Sequence, residues 1–413
     1  MSKYKVVPIF VVLILLFCAQ GCSASPETAA PEAAIPTENP AALSSSPTPI
    51  PDQSGTYAMY RGNLERSGFF TAQAPVENAG LLWQAQGAAP GASPVLAGGQ
   101  LLVGGPDGLS ALDSQTGSLL WHSKTAGAVN SAPAYWSGML FVGDANGILY
   151  ALESQTGEQR WTYQTGGSIY SSPAVEESGV YFGSMDGFFY ALNPQSGQLL
   201  WKFEVAGTTD PASGISKGVR NTPALSGSTL VFSSAQSGGA SAELYLYAVD
   251  KSSGQKLWEY TTWDKITSPA IAEGVVYVGG FGTFTGLRLS DGEPVFNFET
   301  DIVSSAPAIV DGTAIFGLDD GHVLAVSLLT GEPKWSFNIG SAFSSAPSIS
   351  GHMVYFGSST GTFYAIDIPS GQEMWIYETG DRIASSGLPA EEMVYFTSDN
   401  GTVYALNSRP AGE

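Results

Sequence analysis

The chain has almost no cysteine, little histidine and few basic residues, and each shortage removes a class of function. Its two cysteines, Cys18 and Cys22, both lie near the N-terminus. The body that follows therefore has no disulfide, no thiolate nucleophile and no cysteine-based metal or haem attachment. The three histidines, His122, His322 and His352, are scattered without clustered carboxylates. Hairpin or surface positions account for them, and no metal site is expected. Lysine and arginine total 16 against 37 acidic residues; without Lys3 and Lys5 the balance is 14 to 37, a formal charge of −23. Such a surface repels phosphate backbones, so nucleic acid is excluded as a partner. Apolar stripes of 3.6-residue period are also missing, which argues against a helical body.

What the N-terminus does contain is a short basic start and an apolar stretch from Val6 to Phe17, broken at Pro8 and followed by Ala19-Gln20-Gly21-Cys22. This pattern reads as a cleavable export signal over residues 1–21 rather than a spanning helix. It resembles a bacterial lipoprotein signal, which implies that Cys22 is lipidated; the alternative is soluble secretion with Cys22 an ordinary cysteine. Residues 22–55 are rich in Pro, Ala, Ser, Thr and Glu. They cannot bury enough surface to offset their ordering entropy and read as a disordered tether with a reach of about 30 Å. The expected location is exported and lipid-anchored to the cell or outer membrane, facing periplasm or exterior. Residues 56–80 form a lead-in, and 81–410 the folded body.

That body is a repeat. Trp83, Trp121, Trp161, Trp201, Trp258, Phe296, Trp335 and Trp375 recur at spacings of 38, 40, 40, 57, 38, 39 and 40. Pro94, Pro133, Pro173, Pro223, Pro269, Pro307, Pro347 and Pro389 keep step with them. Each unit contains four short apolar or aromatic runs separated by glycine-based turns, the pattern of one antiparallel propeller blade. The last unit supplies three strands and then stops, and Leu81-Leu82-Trp83-Gln84 can complete it, which closes the ring and removes its open edges. The expectation is an all-β, eight-bladed propeller, a monomer, with the N-terminal strand closing the last blade.

Ala111 to Trp121, with Asp113, Thr116 and Gly117, resembles the tryptophan-docking motif of pyrroloquinoline-quinone (PQQ)-like propellers, Ala-x-Asp-x-x-Thr-Gly-x-x-x-Trp. Asp250, Gly254 and Trp258 repeat it, as do Asp367, Gly371 and Trp375. Gly157 with Trp161, Gly197 with Trp201 and Gly331 with Trp335 keep its glycine and indole, while Phe296 replaces the Trp. The resemblance covers about 350 residues and implies that these residues, with Trp83, are structural. The family contains both quinoprotein dehydrogenases and non-catalytic propellers, including the outer-membrane assembly lipoprotein. This chain has no adjacent cysteine pair and no Cys-x-x-Cys-His, and no local motif fixes a calcium set. The expectation is therefore a non-enzymatic binding or scaffold module for a protein or envelope component, without cofactor. The alternatives are a small PQQ- and calcium-dependent dehydrogenase and a carbohydrate-binding propeller.

Two Gly-x-Ser-x-Gly matches, at residues 214–218 and 357–361, lack the strand-to-helix turn of a nucleophile elbow. Loops carry function more often than their scaffold. The connections before the prolines place Tyr170, Lys217, Arg220, Asn221, Trp263, Lys265, Phe343 and Arg382 on one rim of the central funnel, as candidate partner- or ligand-binding residues. The competing reading is that the basic ones are surface charges paired with Asp264 and Asp381. The fourth unit carries two insertions, between Trp201 and Pro223 and around 235–243, which either mark one binding side or, where strand directions alternate, lie on opposite faces.

Overall fold

One blade shows why the chain makes sheets. Ala174–Glu176, Gly179–Gly183, Phe188–Leu192 and Leu199–Glu204 pair in sequence order, all antiparallel. The middle strands are buried on both faces, whereas Leu199–Glu204 alternates exposed and half-buried residues. Continuous apolar runs inside and alternation at the edge are what a sheet sandwiched between two others requires. The computed structural model describes residues 59–206, 216–237, 243–263 and 266–408, with the backbone alone at Ser216, 235–237 and Trp263. The signal, Cys22 and the tether lie outside the described residues.

Eight four-stranded sheets of this kind form a ring, an all-β propeller. We number the blades 1 (95–124), 2 (134–164), 3 (174–204), 4 (224–263), 5 (270–299), 6 (308–338), 7 (348–378) and 8 (388–408 with 79–86). Ala79–Gln86 pairs with Thr402–Ser408, and Trp83 stands opposite Ala405 as Trp201 stands opposite Ala191. The expected closure of the eighth blade is thus present. Adjacent blades meet through stacked rings: Phe189 on Phe232 at 4.0 Å, Phe284 on Phe316 at 4.4 Å and Phe363 on Phe396 at 4.0 Å between centroids. Offset aromatic pairs of this sort add to the area they bury.

The docking motif works through a glycine. At Gly117, Gly157, Gly197, Gly254 and Gly371, φ is +69 to +70°, and a Cβ would meet the preceding blade's indole at 2.5–2.7 Å. The indole Nε1 then donates across the blade boundary, from Trp83 to the Ser114 carbonyl at 2.9 Å, Trp201 to Lys251 at 2.9 Å and Trp258 to Leu289 at 2.8 Å. Asp113 Oδ1 fixes its own turn by accepting from the Thr116 amide and hydroxyl, both at 2.8 Å.

One expectation needs correction, and one open alternative is decided. Pro389 does not occupy the place of the other seven prolines. Leu388 pairs with Tyr395 as Ala174 pairs with Tyr181, so Gly387 holds the proline position and Pro389 sits one residue inside the inner strand. A proline is tolerated there because the inner strand is an edge. Of the two placements open to the fourth unit's insertions, the structure takes the shared one. Ser216–Gly218 pairs antiparallel with Ala235–Ser237, so they form one two-stranded extension beside blade 4.

Candidate functional site

The inner strands of a propeller present unpaired backbone groups to the axis, and here the lead-in satisfies those of blades 4 to 7. The amides of Leu225, Ile271, Ile309 and Ile349 donate to the carbonyls of Leu64, Glu65, Ser67 and Gly68 at 2.7–2.8 Å. These are the second inner-strand residues of blades 4, 5, 6 and 7, the place Pro389 takes in blade 8. Phe69–Phe70 then adds to blade 7 as a short parallel strand. Arg66, fully buried, donates from Nε to the Pro223 carbonyl and from Nη2 to that of Pro173, each at 2.9 Å. Arg61, 2% exposed, donates to the carbonyls of Ala306 and Pro307 and to that of Arg66. Among the described residues neither guanidinium is paired with a carboxylate. Burial pushes both down from their ordinary pKa, Arg66 to about 9.

Above this plug lies an open chamber of about 490 Å³, walled by pre-proline residues of blades 1 to 5 and 8 and by Tyr60. Three places before the proline position, Gly91, Asn130, Tyr170, Arg220 and Ala384 line it, from blades 1 to 4 and 8, while blade 5 contributes Ser268. The polar and aromatic groups of this ring are concentrated on blades 2 to 4. The Arg220 guanidinium lies over the Tyr170 ring at 5.2 Å. One place before the proline position, hydroxyls link blade to blade: the Ala132 amide donates to Ser172 Oγ at 3.1 Å, Thr222 to Ser268 at 3.1 Å and Ser386 to Ser93 at 3.0 Å.

Of the eight candidate residues, the fold brings Tyr170, Arg220 and Asn221 together in this chamber. Asn221 also braces it, donating to Ser233 Oγ at 2.8 Å and to the Ile266 carbonyl at 2.9 Å. Lys217 turns to Glu204 at 2.7 Å and Arg382 to Asp399 at 3.3 Å, exposed pairs of small energetic weight. Phe343 is 6% exposed and packs against Phe356 inside the core rather than lining the rim. The Trp263 side chain, Asp264 and Lys265 lie outside the described residues. Residues 357–361 form a hairpin turn between paired strands. Among the described residues no group of three or more His, Cys, Asp or Glu is placed to hold a metal. Among the described residues the chamber lining contains no carboxylate, and that lining does not match a calcium-linked quinone site. Sequence reasoning missed Tyr60, Ser93, Asn130, Ser172, Thr222 and Ser268; for all but Tyr60, which belongs to the lead-in, a place one or three residues before a repeat proline was the available signal.

The ring and its plug can be compared with known proteins. A sequence profile described as outer membrane protein assembly factor BamB matches twice, over residues 74–244 and 240–410. The BamB of Yersinia pestis is 32% identical over 107 residues, a match spanning 24% of this chain and 27% of that protein. The crystal structure of BamB from Moraxella catarrhalis superposes with a TM-score of 0.65 at 17% identity, covering 81% of this chain and 99% of that one. The quinohemoprotein alcohol dehydrogenase of Comamonas testosteroni gives 0.69 at 15% identity, covering 87% and 82%. At such identities the two structures establish the shared propeller alone. The paired profile matches run across the ring from its lead-in to its last strand, and the chain belongs to the family of the outer membrane protein assembly factor BamB.

Proposed function

We propose that this protein is an exported, Cys22-anchored lipoprotein whose propeller binds protein components of outer-membrane assembly and catalyses no reaction. The observation that carries this reading is the double match to the assembly-factor profile, which takes in nearly every blade. The local chemistry supports it. The axis is filled by the chain's own lead-in, and among the described residues the chamber above the plug has no carboxylate for a metal and no nucleophile paired with a base. The similarity to dehydrogenases lies in the blades, and blades do not define an activity.

The blade-to-blade packing makes the disc a rigid body, so its loops are presented in fixed relation to one another, as a scaffold requires. The tether through residues 22–55 would let that body work about 30 Å from its anchor. The experiment is photo-cross-linking in the intact envelope from positions on the pre-proline rim and on the hairpin face, with Cys22→Ala as the control. Discrete protein adducts from one face, lost in Cys22→Ala, are expected. No adduct from any position, or turnover of an alcohol with added PQQ and calcium, would refute it.

A further inference from the structure

The axial chamber is charged oppositely to the rest of the protein. The chain carries 37 acidic against 16 basic residues, yet among the described residues no carboxylate lines the chamber and an exposed arginine does. Beneath its floor Arg61 and Arg66 are buried against backbone carbonyls, which accept hydrogen bonds and carry no charge. Three guanidinium groups therefore surround the axis with no carboxylate partner among the described residues, two below the floor and one in the wall. Focused in a cleft with low-dielectric walls, such a distribution raises the local concentration of anions.

The remaining wall is suited to completing an anion's hydrogen bonds. Arg220 is held over the Tyr170 ring, which limits the freedom of its side chain. Asn130, and the hydroxyls of Ser172 and Thr222, stand on the same quadrant of the ring. The Ser172 oxygen already accepts the Ala132 amide, so its O–H is the group left to offer a ligand. The volume of about 490 Å³ is that of a small-molecule site.

We propose that the axial chamber is a binding site for a small organic carboxylate, held by Arg220 and the neutral donors of blades 2 to 4. The planar fork of an arginine matches a carboxylate with two parallel N–H···O bonds. The neutral amides and hydroxyls around Arg220 can take up the further oxygens of a polycarboxylate, and the two guanidinium groups below the floor favour its additional charge. The site is independent of the scaffold reading, because it requires nothing from a protein partner.

The test is calorimetric titration of the purified full-length protein with citrate, with the neutral propane-1,2,3-tricarboxamide and with inorganic phosphate. Saturable one-to-one binding of citrate is expected, with none of the triamide. Arg220→Gln, at an exposed position, should leave thermal unfolding unchanged and weaken citrate at least tenfold, the scale of a charge-assisted hydrogen bond. Tyr170→Leu should weaken it by a smaller factor. No saturation at about 10 mM citrate, where a millimolar site is already filled, would overturn the proposal. So would equal affinity in Arg220→Gln, or phosphate binding tighter than citrate through Arg220. The scaffold reading depends on envelope cross-links, which none of these outcomes changes.

Discussion

Replacing Gly254 by alanine tests what holds neighbouring blades together. Gly254 has φ of +69°, and a Cβ there would lie 2.6 Å from Cε3 of the Trp201 indole. The left-handed conformation costs an alanine about 1–2 kcal/mol. The indole must also move, which endangers its 2.9 Å bond to the Lys251 carbonyl, worth about 1 kcal/mol, and the contacts around it. The expected loss is about 3 kcal/mol. Gly227, in the same blade, supplies the control: its φ is +58°, and nothing lies within 4 Å of its Cβ position. Gly227→Ala meets the conformational cost without the collision and should lose about 1 kcal/mol. Both variants gain the same entropic effect in the unfolded chain, so it cancels between them. Guanidinium unfolding followed by circular dichroism and tryptophan fluorescence gives both values, with an unchanged slope required for the comparison. The double variant Trp201→Leu/Gly254→Ala should lose less than the sum of its singles, because the smaller side chain removes the collision. Equal losses at Gly254 and Gly227, or strict additivity in the cycle, would refute indole docking as the reason for the glycine.

Two further outcomes follow from the turns and the plug. The Thr116 hydroxyl and amide hold the Asp113 carboxyl below its ordinary range, so its folded pKa is lower than its unfolded one. Its contribution to stability is present above the ordinary carboxylate range and is lost as pH falls through the folded value. In Asp113→Asn the acid limb of a stability-against-pH curve, from about pH 5 downward, should be shallower; an identical limb would show the turn is not linked to protons. A chain beginning at residue 79 keeps every blade strand but loses the acceptors for the Leu225, Ile271, Ile309 and Ile349 amides. Hydrogen exchange should quicken at those four amides and stay slow at Leu246, whose carbon skeleton and ladder are unaffected.

The ring was legible because its signals are local and repeated. The indole stands at seven of the eight positions, with the turn glycine at a fixed offset before every one but the first, and these copies outweigh the degenerate one at Phe296. Closure could be read from a three-strand unit at one end and a spare strand at the other. The plug could not, since its groups recur nowhere else. Arg61 and Arg66 look like surface residues in sequence, and only the unpaired edges of the inner strands explain why they are buried. Phe343 was misplaced for an avoidable reason. It sits four residues before its proline, where Val129, Ile169, Val219 and Val303 stand in other blades, each beside a glycine that leaves room for it. Gly317 does the same for Phe343, with a Cβ position 2.1 Å from the ring. Pro389 was misread because a proline two residues late preserves the apparent period while changing the register.

The course of the lead-in also decides how the body carries a load. Met59 and Tyr60 enter at the chamber, on the axis of the ring, and the following residues bond to the inner strands of several blades before the outermost strand begins at Ala79. Tension applied upstream of Met59 therefore arrives at the hub and is shared among blades 3 to 7 through Arg61, Arg66 and four backbone amides. The closing strand at the rim, which a pull could peel away one bond at a time, is shielded behind that hub. Held by the anchor proposed at Cys22, a disc suspended from its centre would keep the same distance to its point of attachment as it turns, so every flank of the wheel could be offered to a partner without stretching the cord.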